Sequence, residues 1–385
     1  MIMPGKNERL KIAFLTPQDP LSKRSWSGTI YFMACALQKQ CGDVTFLGPV
    51  PIRQIGVKMF NRVVRALLGK RYDYSHSLSY ARKCARFFEK KLAGHSYDLI
   101  FAPAAATALA YLRTEVPIVY ASDVTFTLLQ NYYPEFTNLL PVSIREGNRI
   151  EKAAIDRCRI ALFSSAWAAE SAIRDYGADP AKVRVIPFGA NLEMVPRKEE
   201  VLNRTRSGIL RLLFLAVNWR RKGGDIAYET LLSLTARGID TELIVCGTVP
   251  PDGISHEKMT VIPFLNKDDP EQMKQLTGLF LNADFLLLPT RYDCTPIVFC
   301  EANAFGMPVV TTDTGGVSSL ISNGENGIML PSSARGDLYA EAICALYKDD
   351  DRFAALSRSS RTVYEEQLNW DSWALAVNKL CAGIV

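Results

Sequence analysis

Residues 283–330 constrain the fold of this chain more than any other stretch. They open with a short apolar run, 283–288, that has the length and bounds of a buried parallel strand. A polar loop follows, and Thr295-Pro296 then starts an apolar helix, since Pro fits a first turn where its missing N–H costs nothing. Gly306 and Pro308 end that helix. The spacing predicts the next strand over 309–312, and Gly315-Gly316 then turns into another helix. Such a β–loop–α–β–loop–α order belongs to a parallel sheet with helices on both faces. Ligands of such sheets bind at the carboxyl ends of the strands.

Two acids stand at that end. Asp293 is in the loop, and Glu301 lies two turns along the helix on nearly the same face. The backbone N–H groups of Thr295, Ile297 and Val298 point out of the helix N-terminus, an arrangement that binds phosphate. Pro296 contributes none. Carboxylates are poor neighbours for phosphate but good acceptors for sugar hydroxyls. Amide donors beside two spaced carboxylates therefore suit a diphosphate between two sugars, as in a nucleotide sugar. The plainer alternative makes Asp293 and Glu301 helix-capping and surface acids.

Acid-x7-acid-Ala, Gly-x-Pro-Val-Val, Thr-Gly-Gly-Val and Asn-Gly in order resemble the signature of the GT-B glycosyltransferases of family 4. The resemblance covers most of the chain and is strongest over 214–330. It implies that the first acid, normally Glu and here Asp293, holds hydroxyls of the donor sugar. It implies that the second, Glu301, holds the nucleotide ribose.

Upstream, 212–217 reads as a strand that runs into Asn218-Trp219-Arg220-Arg221-Lys222-Gly223-Gly224, before a helix starting near Asp225. Three cations at a strand end suit a diphosphate: Arg offers a fork of donors and Lys a mobile point charge. The alternative is a solvated turn of charges. In the resembled family a Lys before Gly, with an Arg a few residues earlier, neutralises the leaving diphosphate. Lys222 matches that Lys. The Arg belongs further upstream, where this chain has Val217 or Asn218, and Arg220 or Arg221 stands in. A strand over 261–265 exits through Leu265, where the family holds its nucleobase by backbone groups.

The first half alternates in the same way. Strand one is expected over 10–16, and Gly28 follows at the strand-to-helix turn, where a glycine lets backbone approach a ligand. The resemblance puts this turn opposite the donor diphosphate. A strand over 117–121 runs into Asp123, which a helix N-cap role suits as well as a place facing the cleft. Many family members carry a His close to this position, near the anomeric carbon and the acceptor. Tyr132, Tyr133 and Phe136 line an acceptor groove or pack in the core.

Residues 53–91 hold eleven Lys or Arg and two acids, Asp73 and Glu89. Within them Phe60, Val63, Val64 and Leu67 share one helical face, and Lys58, Arg62 and Arg65 the opposite one. Such a helix either lies on an anionic membrane surface or packs on its own sheet with a solvated basic face.

A length of 385 residues allows two domains, and no apolar run reaches the length of a membrane span. The first residues are charged where a signal peptide has its apolar core. Nine scattered Cys, an odd number without CxxC spacing, point to reduced thiols and a cytoplasmic site, peripheral to the membrane's inner face if the basic stretch meets lipid. Three His argue against a His-based metal site, and a net charge of +5 does not by itself suggest nucleic acid.

The expectation is α/β: two doubly wound, Rossmann-like domains facing across a cleft in the GT-B manner. An acceptor-side domain spans 1–190, a linker 191–208 and a nucleotide-sugar-binding domain 209–361, while a helix over 362–385 returns to the first domain. The resemblance implies a retaining transfer of a hexose-type sugar from a nucleoside diphosphate, UDP-sugar before GDP-sugar, to a hydroxyl acceptor. No cofactor or metal is expected. Arg221, Lys222 and the helix amides hold the departing charge. Two rivals stand beside this one: a GT-B nucleotide-sugar epimerase and a non-catalytic partner subunit.

Overall fold

The structure is a computed structural model that describes residues 9–51, 55–203 and 208–384. Arg53 of the basic stretch and 204–207 of the expected linker lie outside the described residues. The chain divides into two compact units. Unit 1 comprises Met1–Ile186 with Trp373–Val385, and unit 2 comprises Pro187–Ser372.

Unit 1 runs β1 (Leu10–Phe14), α1 (Thr29–Gln40), β2 (Gly42–Phe46), α2 (Ile55–Leu68), α3 (Leu78–Leu92), β3 (Leu99–Pro103), α4 (Ala106–Leu109) and β4 (Ile118–Ser122). It continues through α5 (Phe126–Leu129), α6 (Pro141–Arg157), β5 (Ile160–Phe163), α7 (Ala166–Tyr176) and β6 (Val183–Val185). Its six strands are parallel in the order β2-β1-β3-β4-β5-β6. Every residue of β3, β4 and β5 is buried, the mark of strands covered on both faces. Trp373 belongs to this unit and meets Phe101 of β3 edge-on at 5.7 Å.

Unit 2 holds α8 (Lys198–Leu202), β7 (Leu210–Leu215), α9 (Gly224–Ala236), β8 (Thr241–Cys246), β9 (Met259–Ile262), α10 (Pro270–Asn282) and β10 (Phe285–Leu288). Then come α11 (Ile297–Ala304), β11 (Val309–Thr312), β12 (Gly327–Leu330), α12 (Gly336–Tyr347), α13 (Asp350–Glu366) and α14 (Trp370–Cys381), whose residues from Trp373 onward count with unit 1. The parallel order is β12-β11-β10-β7-β8-β9. Counted within the unit, that is strand order 3-2-1-4-5-6 read from the other edge, and the direction of winding reverses between β7 and β10. These two strands are neighbours, with Leu213 opposite Leu286. Ligands of sheets with such a reversal bind at the carboxyl ends of the two strands that flank it.

Several expectations change in detail. The stretch expected to be an unstructured linker carries α8, because the side chain of Glu200 accepts from the Arg197 N–H, and Val201 is fully buried. Gly315-Gly316 leads only into a single 3-10 turn, Val317–Ser319, rather than a full helix. β9 stops at Ile262, so Leu265 lies beyond the strand in the approach to α10. Pro296 is the N-cap of α11 rather than a residue of its first turn. The apolar face of α2 is not packed on the sheet: Val64 is buried, but Phe60, Val63 and Leu67 are exposed.

Candidate active site

In unit 2 the chain leaves β7 through 216–223. Trp219 turns inward, 7% exposed, and its ring packs against Gly224, where an added Cβ would stand 2.2 Å from it. Gly223 closes the loop at φ +77°, with the Pro289 carbonyl oxygen 2.0 Å from where a Cβ would be. Only glycine satisfies both conditions. This close approach ties the loop after β7 to the loop after β10. Asn218 is exposed, and its side-chain oxygen accepts the Arg221 N–H at 2.8 Å, so it shapes the turn. The Arg221 carbonyl accepts the Arg291 N–H at 2.9 Å.

The result is a buried ionic cluster. The Lys222 ammonium donates to Asp293 Oδ2, with both side chains about nine-tenths buried. Arg221 Nη1 lies 3.7 Å from the same oxygen. Thr290, fully buried, is within 3.5 Å of it as well. Burial pushes the Lys222 amine below its usual range, Asp293 pulls it back up, and the Arg221 charge lowers it further; the net direction is down. Two cationic side chains thus meet one carboxylate at the carboxyl ends of β7 and β10.

The loop after β11 braces the acid. The Gly316 N–H donates to the Asp293 carbonyl at 3.1 Å, and Thr314 Oγ1 donates to the Arg291 carbonyl at 3.3 Å. Arg291 forms a two-pronged pair with Asp225 at 2.7 and 2.8 Å and donates to the Arg220 carbonyl at 2.6 Å. Burial acts upward on the Asp225 carboxyl, but its bonds to Arg291 and Arg335 outweigh this and hold it below the usual carboxylate range. This network fixes the backbone on which Arg221 and Lys222 stand.

Glu301 is buried in α11, and Lys267 Nζ donates to its Oε1 at 2.5 Å. α11 has no side-chain cap at Pro296, so the N–H groups of Ile297 and Val298 lack intrahelical acceptors. Thr295 immediately precedes the cap. Three parts expected from sequence thus come together in one unit: Arg221-Lys222, Asp293, and the helix start with Glu301. Between the two arginines the structure selects Arg221, since Arg220 is exposed and engages the cluster through its carbonyl alone. Leu265 is half-buried on the core of the unit. Sequence reasoning missed Lys267, Thr290 and Arg291. The last two sit in the same loop as Asp293, whereas Lys267 is 34 positions from Glu301 and has no local signal.

The two remaining residues belong to unit 1. Gly28 (φ +87°) ends a run of left-handed residues with Trp26 and Ser27 and is the N-cap of α1. Asp123 follows β4 and is half-buried; the N-cap of α5 is Thr125, so Asp123 does not cap it. Beneath this loop Glu151 is buried, and the Tyr120 hydroxyl donates to its Oε1 at 2.9 Å. Phe136 packs on the rings of His76 and Phe126, and Tyr132 on Trp167. A groove of about 630 Å³ in the same unit is lined by Thr127, Asn148, Arg149, Lys152 and Tyr176 among others. Most of its wall comes from the middle of α6 and the end of α7, away from the strand-end loops. Among the described residues no three His, Cys, Asp or Glu side chains gather as a metal site would need.

Two family models match the chain. Glycosyltransferase Family 4 matches residues 29–194, and Glycosyl transferases group 1 matches residues 210–349. Among curated proteins the chain is 26% identical over 240 residues to a D-inositol 3-phosphate glycosyltransferase of Gordonia bronchialis, covering 57% of this chain and 51% of that one. It is 26% identical over 235 residues to the protein of the same name in Paenarthrobacter aurescens, covering 58% and 57%. The chain thus spans little more than half the length of these relatives. Among solved structures it resembles sucrose-phosphate synthase of Thermosynechococcus elongatus with a TM-score of 0.67 at 17% identity, covering 97% and 99% of the two chains. HepE of Anabaena, solved with UDP and glucose, gives 0.63 at 14%, covering 97% and 100%. WaaG, a glycosyltransferase involved in lipopolysaccharide biosynthesis, gives 0.61 at 16%, covering 97% and 100%. At these identities the structures establish the fold, that of GT-B glycosyltransferases.

Proposed function

The chain belongs to glycosyltransferase family 4, and from that premise we propose that it transfers a hexose-type sugar from a nucleoside diphosphate to a hydroxyl acceptor with retention of anomeric configuration. The observation that carries this reading is the buried contact of Lys222 and Arg221 with Asp293 at the winding reversal of unit 2. Burying a lysine with a carboxylate and a second cation costs solvation that the fold alone does not need. The arrangement fits a ligand with negative charge for the cations and hydroxyls for the carboxylate. When the donor binds, Arg221, Lys222 and the amides of Ile297 and Val298 hold the diphosphate. Asp293 accepts hydroxyls of the sugar, and Glu301 accepts those of the ribose. As the glycosidic C–O bond breaks, charge grows on the phosphate oxygen, and fixed donors in a dry site stabilise it. The acceptor hydroxyl attacks on the same face, forms the new C–O bond and passes its proton to the departing phosphate oxygen. The reading requires no metal or other cofactor, because two protein cations face the leaving group. Asn218, Arg220 and Leu265 line the donor site in the same reading.

UDP is the favoured donor base, with support from the solved complex of HepE with UDP and glucose. The relatives named for D-inositol 3-phosphate make a phosphorylated polyol one acceptor to assay. A cytoplasmic location belongs to the proposal, with support from nine cysteines scattered singly through the sequence without CxxC spacing. Peripheral contact with an anionic membrane belongs to it as well. The test is a thermal shift of the purified protein against UDP-, GDP-, ADP- and dTDP-sugars, with and without Mg²⁺. One nucleotide should raise the midpoint independently of metal, and Lys222→Ala should abolish the rise. No response to any nucleotide, or an unchanged response in Lys222→Ala, overturns the assignment.

A further inference from the structure

Helix α2 has a surface that packing within its own unit does not explain. Val64 is its one buried apolar side chain among those described, and the Asn61 amide ties it to the backbone of Tyr72 at 2.6 and 2.9 Å. On the flank beside this seam, Met59, Phe60, Val63 and Leu67 stand exposed at 60%, 50%, 49% and 76%. Their spacing of three and four puts them on one continuous stripe. Lys58, Arg62 and Arg65 are exposed on the opposite side, and Lys70 and Arg71 follow directly. No acid occurs from residue 55 to 72, and the first one, Asp73, is turned inward to His76 at 2.6 Å.

A water-facing helix places charge, not four large apolar side chains, on its outer side. An apolar stripe backed by cations alone is the pattern of a helix lying in the plane of a bilayer, with its stripe among the acyl chains and its long basic side chains reaching the headgroups. The charge selects the surface, because five cations without a counter-acid complement an anionic leaflet. Among the described residues no helix is long and apolar enough to cross a membrane, so the contact is with one leaflet. We propose that α2 docks this protein on anionic lipid bilayers, inserting Met59, Phe60, Val63 and Leu67. This deepens the membrane contact named above, yet the binding itself needs neither donor nor sugar transfer.

The test is flotation of the whole protein with vesicles of phosphatidylcholine alone or with about one third phosphatidylglycerol. Binding should be at least about tenfold tighter to the anionic vesicles and should fall with added salt. Val63→Ser with Leu67→Ser should reduce it about tenfold or more, while melting and the response to nucleotide stay as in the parent chain. Arg62→Glu with Arg65→Glu should remove the preference for anionic lipid. Equal binding to both vesicles, no binding, or undiminished binding by the serine variant overturns the proposal. So does sedimentation as a dimer that the serine variant dissociates, which would assign the stripe to a second copy. A failure of the nucleotide panel leaves this outcome unaffected.

Discussion

Glu151→Gln tests the electrostatics beneath the loop that carries Asp123. Glu151 accepts from the Tyr120 hydroxyl of β4 and from the Phe126 N–H that begins α5, so it pins the chain on both sides of that loop. Burial raises its carboxyl from 4.5 to about 7, against the opposing pull of these bonds and of His76. A carboxyl raised in this way keeps its proton in the folded state after the unfolded chain has lost it. The folded state then binds more protons, and stability falls as pH rises from the unfolded value to the folded one. The interval from 4.5 to about 7, at about 1.36 kcal/mol per pH unit, makes about 3 kcal/mol in all. Glutamine keeps an acceptor for both donors and does not ionise. The stability of Glu151→Gln relative to the parent should therefore increase by about 2–3 kcal/mol between pH 5 and pH 8, most of it below pH 7. The assay is urea unfolding at several pH values, with hydrogen exchange of peptides from β4 and β5 to confine the readout to unit 1. Only the difference between the two proteins is read, which cancels their other titrations. A difference constant with pH would refute the reasoning, because Glu151 would then be ionised in the folded protein as it is in the unfolded chain.

Gly223→Ala should destabilise unit 2 by at least about 2 kcal/mol, because its φ of +77° is strained for alanine and the new methyl meets the Pro289 carbonyl; a melting midpoint within a degree of the parent contradicts this. Glu301→Gln should weaken binding of a nucleoside diphosphate by about tenfold or more, since a charged acceptor for hydroxyls is worth roughly 1.5–3 kcal/mol. Asp293→Asn should instead spare the free diphosphate and weaken the intact nucleotide sugar, and calorimetry with both ligands separates the two carboxylates. Lys222→Ala should reduce turnover by about a hundredfold or more. Its melting should drop much less than loss of a buried partner usually implies, because Arg221 remains 3.7 Å from Asp293.

Much of this protein was legible in its sequence. Continuous apolar runs such as those of β10 and β11 identify strands buried on both faces, and β11 falls at the expected 309–312. Local pattern decides that, because burial and periodicity are properties of neighbouring residues. The cations before Gly223 and the acids of the Asp293 loop were equally plain as residue types at strand ends. Details that hinge on a few local bonds were less plain: α8 arose within a charged stretch, and the turn after Gly315 stayed short.

The order of strands is a different kind of fact. Nothing in β7 or β10 alone says that they are neighbours, yet that adjacency brings Lys222 to Asp293 across 71 positions. The same holds for Lys267 against Glu301, for Arg221 over Arg220, and for the exposed stripe of α2, whose periodicity fits a buried face as well as a free one. The sequence by itself determined which elements form and which chemical groups they carry. Only the tertiary structure decided which of those groups meet, because contacts between distant segments depend on sheet order and packing, to which local periodicity is blind.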